Sequence, residues 1–172
     1  MSNTIIKRAN TEDLAALQNI GRQTFFETFA AENTEENMRK YLEEGFSTEK
    51  LGAELNDPNA EFYLALEGNS VLGYLKVNVG ASQTELQDDQ ALEIERIYVA
   101  KACHGKGLGQ LLYEKAIQIA LQKKVAYVWL GVWENNLKAI DFYKKNGFVE
   151  FDKHLFTLGD EVQTDLMMKR SI

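Results

Sequence analysis

The stretch that most constrains this chain is ERIYVAKACHGKGLGQLLYEKAI, in which three glycines at alternate positions, Gly105, Gly107 and Gly109, separate an extended apolar segment from an amphipathic helix. Strand, glycine loop and helix in that order build an anion site. Glycine lets backbone N–H groups approach a phosphate with no Cβ in the way, and the helix N-terminus adds about half a positive charge. Lys101, Lys106 and His104 would supplement it. A Walker A loop would need Gly-Lys-Ser/Thr, and a Rossmann fingerprint, GxGxxG, would need glycine where Gln110 stands. A Rossmann turn also comes early in its fold, whereas here a run of strands precedes the loop.

The elements around the loop follow from hydrophobic period. Residues 4–8 alternate as a short strand, and Asn10 or Thr11 caps a helix whose Leu14, Leu17, Ile20, Phe25 and Phe29 keep helical spacing. TEENMRKYLEEGF reads as a second helix ending at Gly45, and Ser47 opens a third that stops before Pro58. EFYLALEGNSVLGYLKVNVG is two apolar runs about a Gly-Asn turn. After a polar loop over residues 81–90 comes LEIERIYV, completing three strands of an antiparallel meander. Leu108 to Lys124 is a helix, AYVWLGVW a buried strand, and Asn135 to Asn146 a helix closed by Gly147. Two strands follow, near Val149–Thr157 and Val162–Met168. The expected fold is a single α/β domain over residues 1–172, a mixed sheet with helices on both faces.

Composition removes several function classes. A chain of 172 residues, 45% hydrophobic, suits one domain with a sizeable core. The lone Cys103 forms no internal disulfide, and no Cys or His cluster has metal-ligand spacing, so no metal is expected. MSNTIIKRAN lacks the apolar core of a signal peptide, and no run approaches the roughly 20 apolar residues that span a bilayer, so the expectation is a cytoplasmic protein without membrane contact. With 26 acidic against 19 basic residues the net charge is −7, which repels nucleic acid and favours cationic partners.

The loop and the segment C-terminal to it resemble the GNAT acetyltransferases. That family's pyrophosphate loop reads Gln/Arg-x-x-Gly-x-Gly/Ala at the start of a central helix; here it reads His104-Gly105-Lys106-Gly107-Leu108-Gly109, with His104 departing from the usual Gln or Arg. A second family element comes one helix and one strand later: Asn136-x-x-Ala139, then Tyr143-Lys144-Lys145-x-Gly147-Phe148. The motifs cover residues 92–148 and the topology the whole chain. LEIERIYV, WLGVWENN, AIDFYKKNGF and GDEVQTDLMMK carry a narrower likeness to bacterial spermidine/spermine N-acetyltransferases.

The resemblance implies a seven-stranded, mostly antiparallel sheet and acetyl-CoA as co-substrate. Pantetheine would run along Ile97, Tyr98 and Val99, with the pyrophosphate on the amides of residues 104–109 and Asn136 touching the CoA arm. Asn136 would also serve as a helix N-cap. Tyr143 matches the tyrosine that protonates the departing thiolate, a transfer helped by the closeness of thiol and phenol pKa values, about 8.5 and 10. The attacking ammonium must lose a proton, and Glu95, nine residues before His104, matches the base of polyamine members. Strand alternation would put Glu93, Glu95, Ile97 and Val99 on one face, which keeps Glu93 as a rival base, with water as an intermediary for either.

The acceptor expected is a small cationic amine, a polyamine above all. Residues 27–61 hold ten carboxylates, Glu27, Glu32, Glu35, Glu36, Glu43, Glu44, Glu49, Glu54, Asp57 and Glu61, against Arg39, Lys40 and Lys50. Tyr41 and Phe46 are candidate pocket residues; Trp129 and Trp133, sharing a strand face, are read as core. A protein N-terminus or lysine as acceptor, and an acetyl-CoA-binding regulator with little turnover, are the competing readings. Sheet edges in such folds often pair, so a homodimer is among the assemblies the resemblance allows.

Overall fold

In a computed structural model, which describes residues 3–172, the chain opens with β1 (Ile5–Arg8) and three helices, α1 (Leu14–Phe29), α2 (Glu35–Gly45) and α3 (Thr48–Leu55). Side-chain caps set their starts. Asn10 accepts from Glu12 N ahead of the short 3₁₀ turn that leads into α1, Thr34 caps α2 and Ser47 caps α3. Each satisfies an N–H that a helix start would leave unpaired. β2 (Ala60–Glu67) and β3 (Ser70–Val79) form a hairpin across Gly68 and Asn69, where Gly68 takes φ +60°, a conformation glycine reaches without a Cβ clash. Next come β4 (Ala91–Val99), α4 (Leu108–Lys123), β5 (Tyr127–Trp133), α5 (Leu137–Lys145), β6 (Val149–Leu158) and β7 (Glu161–Ser171).

The seven strands make one sheet in the order β1-β2-β3-β4-β5-β7-β6, antiparallel everywhere except β4 beside β5. A parallel pair requires a crossover, and α4 supplies it. α1–α3 pack on one face of the sheet, while α4 and α5 pack on the other. The mixed, mostly antiparallel architecture with helices on both faces is therefore as expected.

Two irregularities in β4 prepare the site. Its pairing with β5 runs only from Ala91↔Tyr127 to Ile94↔Leu130, after which β5 continues along β7 and β4 along β3. The edge of β4 from Glu95 to Val99 is left without a strand on that side. Against β3, Arg96 pairs with Lys76 but Ile94 pairs with Val77, so Glu95 is the extra residue of a β-bulge.

The bulge overturns one expectation. Glu93, Glu95, Ile97 and Val99 do not share a face, because the extra residue resets the alternation. Ile97 and Val99 pack with Leu75, Val77, Leu92 and Ile94 beneath α4. Glu93 instead meets Asn78, and Glu95 meets Lys76, Asn78 and Arg96, on the face toward α1–α3.

Candidate active site

Where β4 and β5 part, a cavity of about 540 Å³ runs from the glycine loop, through the gap, to the aromatic side chains of α1 and α2. That size suits a small-molecule site. Of the eleven residues expected to hold the co-substrate, ten line it: Ile97, Tyr98, Val99, His104, Gly105, Gly107, Leu108, Gly109, Asn136 and Tyr143. Lys106 does not.

The loop has the form an anion requires. Gly105 and Gly107 take φ +80° and +79°, a region L side chains rarely adopt, and Gly107 is the N-terminal cap of α4 with no side chain bonded to the helix start. A Cβ placed on Gly105, Gly107 or Gly109 meets no protein atom within 4 Å. Space is thus kept beside amides at the positive end of a sixteen-residue helix, and these residues fit a pyrophosphate. The ring of His104 turns back to the Val99 carbonyl at 2.8 Å, bracing the loop against the end of β4. Glu27 accepts from Lys101 N at 3.0 Å, tying the same loop to α1.

α5 delivers two further groups. Asn136 caps the helix, its Oδ1 accepting from Ala139 N at 3.3 Å, and it also lines the cavity, as both of its expected roles require. Tyr143 packs between Phe142 and Phe148, with ring centroids 5.4 and 5.7 Å away. Among the described residues no protein group hydrogen-bonds its hydroxyl, and burial pushes the phenol well above its usual pKa, so it stays protonated.

Glu93 and Glu95 both line the cavity, in different surroundings. Glu95 Oε1 accepts from Lys76 Nζ at 2.7 Å and Asn78 Nδ2 at 2.8 Å, while Oε2 lies 3.3 Å from Arg96 Nε. Burial pushes its pKa up, but Arg96 and Lys76 outweigh that, and the net shift is downward. Glu93 meets only neutral donors: Asn78 Nδ2 at 3.0 Å, Thr84 N at 2.9 Å and the Thr84 hydroxyl. Burial dominates there and, with a smaller push from the charge of Glu95, leaves the Glu93 pKa raised.

The acceptor side corrects the charge argument. None of the ten carboxylates of residues 27–61 lines the cavity; those that do are Glu85, Glu93, Glu95 and Asp165. The helices turn apolar stripes inward, bringing Tyr41 and Phe46 to the cavity as expected, and leave most of their acids outside. Glu54 points inward but is spent on Lys76 at 2.6 Å. Asp165 and Glu85 flank His154, Oδ2 3.4 Å from Nε2 and Oε1 3.0 Å from Nδ1. Sequence reasoning missed these three residues, which lie far apart along the chain. One faint signal is Gly131, whose absent side chain leaves room for His154 and Asp165, 3.3 and 3.6 Å from where its Cβ would sit. Trp129 is buried and donates to Gln83 Oε1 at 2.7 Å, a core role as expected, Trp133 packs with its ring tilted against Phe29, and both also touch the cavity. Among the described residues no group of three or more His, Cys, Asp or Glu is arranged to hold a metal ion, and no helix is long and apolar enough to cross a membrane.

A parted parallel strand pair, an open glycine cradle and a buried phenol meet around one cavity, and residues 16–148 match the acetyltransferase (GNAT) family. The chain belongs to that family and is an N-acetyltransferase of GNAT type. It is 39% identical over 172 residues to an uncharacterised N-acetyltransferase of Lactobacillus delbrueckii subsp. lactis, covering 100% of this chain and 99% of the relative. It is 27% identical to a spermidine N(1)-acetyltransferase of Thermoplasma acidophilum, over 83% of this chain and 86% of that one. The crystal structure of a PaiA N-acetyltransferase from Thermoplasma acidophilum in complex with coenzyme A superposes with a TM-score of 0.82 at 26% identity, over 100% of both chains.

Proposed function

We propose that this enzyme transfers the acetyl group of acetyl-CoA to a primary amine, a polyamine such as spermidine, by direct attack while both substrates are bound. Acetyl-CoA, when bound, supplies an activated thioester that an amine can attack without a covalent enzyme intermediate. The amides of residues 104–109 hold the pyrophosphate, and Asn136 and the unpaired edge of β4 at Ile97, Tyr98 and Val99 align the CoA arm. An amide of that edge polarises the thioester carbonyl. Tyr143 donates its proton to the leaving thiolate, and one of the two cavity carboxylates, Glu93 or Glu95, takes the proton of the attacking ammonium, directly or through water. The polyamine assignment is supported by the spermidine acetyltransferase relative and by the four carboxylates in the lining.

The observation that carries this reading is the unpartnered Tyr143 phenol in one cavity with the open glycine cradle and with Glu93 and Glu95. The test is thiol release from acetyl-CoA with a panel of spermidine, spermine, lysine peptides and aminoglycosides, beside Tyr143→Phe. Release stimulated chiefly by polyamines and reduced about 10²-fold or more in the variant is expected. Full activity in the variant removes Tyr143 as the acid; stimulation chiefly by peptides moves the acceptor to proteins.

A further inference from the structure

The face of β3 opposite α4 carries Lys76 and Asn78, which are as buried as the apolar core, at 6% and 1% exposure. Their contacts converge on the two carboxylates of β4. Lys76 Nζ bridges Glu54 Oε1 at 2.6 Å and Glu95 Oε1 at 2.7 Å, and Asn78 Nδ2 is shared between Glu95 Oε1 and Glu93 Oε1.

We infer that Lys76 and Asn78 are positioning residues that divide the work of the two carboxylates: Lys76 holds Glu95 as a fixed anion, and Asn78 couples that anion to Glu93, which accepts the acceptor's proton. This rests on the amine acetyltransferase reading and settles which carboxylate serves it. The decisive chemistry is what happens to each neighbour when a proton arrives. Around Glu95 stand Lys76 and Asn78 from β3, Arg96 and Glu93 on β4, Glu54 from α3, and the phenols of Tyr41 and Tyr74. A protonated Glu95 would set its neutral carboxyl group against two buried cations, neither of which can accept a hydrogen bond. The two cations would be left with Glu54 alone as counter-charge, which is costly away from water.

Glu93 has no cation in contact; it faces Asn78, Thr84 and Glu95. The Thr84 hydroxyl now donates to Glu93 Oε2, and a hydroxyl can rotate and accept instead. Glu93 can therefore take a proton and keep that contact. The step balances simply: the ammonium N–H bond breaks, its proton passes to a Glu93 carboxylate oxygen directly or through one water, and the freed nitrogen lone pair attacks.

The test needs no substrate. The side-chain carboxyl carbons of ¹³C-glutamate-labelled protein would be titrated by NMR, with Glu93→Gln and Glu95→Gln used for assignment. The expected order is Glu93 titrating above Glu95, and Lys76→Met should move the Glu95 midpoint upward while Lys76→Arg restores it. Kinetically, Glu93→Gln should lower kcat about 10²-fold or more and remove the acidic limb of the kcat/KM profile; Glu95→Gln should keep that limb. Glu95 titrating above Glu93, or an acidic limb that survives Glu93→Gln and vanishes in Glu95→Gln, overturns the inference. If Lys76→Met does not fold, the order of the two midpoints in the unaltered protein still decides. If no amine in the panel is acetylated, the function reading fails while the titration still reports whether Lys76 fixes Glu95.

Discussion

The two faces of β3 and β4 are equally hidden from water and chemically opposite. Toward α4 stand Leu75, Val77, Leu92 and Ile94, each at most 2% exposed; toward α1–α3 stand Lys76, Asn78 and Glu93, each at most 6% exposed. The first face lowers free energy simply by being buried, at about 25 cal/mol per Å² of apolar surface. The second has to offset the cost of desolvating charges through its ion pairs and hydrogen bonds, which leave Asn78 Oδ1 and Glu54 Oε2 without a hydrogen-bond partner among the described residues, and replacing such groups with well-packed apolar residues is often stabilising. A fold gains nothing obvious from this arrangement, whereas a site that must move protons out of water gains carboxylates with separated roles. The apolar face explains why the sheet exists; the polar face carries the groups on which the proposed proton transfer depends.

The largest effect expected from breaking this contrast is on the apolar side. Leu75→Ala removes a wholly buried side chain between the sheet and α4, and should cost about 2–5 kcal/mol of stability, measured by urea denaturation. At a temperature where the variant is folded, its acceptor specificity should match that of the parent. A change in which amine is preferred would mean that the two faces are not separable.

A smaller effect sharpens the contrast within the polar face, because its two carboxylates should respond to pH with opposite sign. Burial raises the Glu93 pKa above its usual 4.5, so its contribution to stability is fully present below that value and is lost as pH rises through the folded-state pKa. Glu95 is depressed below 4.5, burial being outweighed by Arg96 and Lys76, so its contribution is present above that value and lost as pH falls through the folded-state pKa. Thermal melts across acidic to neutral pH should therefore show the parent losing ground to Glu93→Gln on the alkaline side of 4.5, and to Glu95→Gln on the acid side. Parallel curves for the two variants would contradict the assignment of separate environments.

How much of this is legible in the sequence depends on whether its cause is local. Tyr143 stands out through the family resemblance, whereas the glycine loop, the caps at Thr34, Ser47 and Asn136 and the Gly68 turn all come from patterns spanning a few residues. The bulge at Glu95 does not, because it is set by the register of β4 against β3, and nothing in LEIERIYV marks which residue is extra. Nor does the meeting of Glu85, His154 and Asp165, which depends on β6 and β7 returning beside β5. Counting acids in residues 27–61 misleads about the cavity because charge per segment says nothing of which helix face turns inward.

The smallest expected effect is the most specific to the co-substrate. Gly109 lies in the first turn of α4 without a positive φ, and a Cβ there would meet no protein atom within 4 Å. Neither conformation nor packing requires glycine at this position, and alanine is favoured inside a helix by up to about 1 kcal/mol. Gly109→Ala should thus leave the melting temperature unchanged or slightly raised, while Gly107→Ala, at φ +79°, should lower it, through a loss of stability of roughly 1–2 kcal/mol for a left-handed residue. If the open space beside Gly109 is where the pyrophosphate sits, the same alanine should raise the KM for acetyl-CoA about tenfold, a loss of about 1.4 kcal/mol, with kcat little changed. A more stable protein that binds its donor less well would show that this glycine is retained for the ligand. An unchanged KM would mean that the phosphates lie farther along the loop, against Gly105 and Gly107.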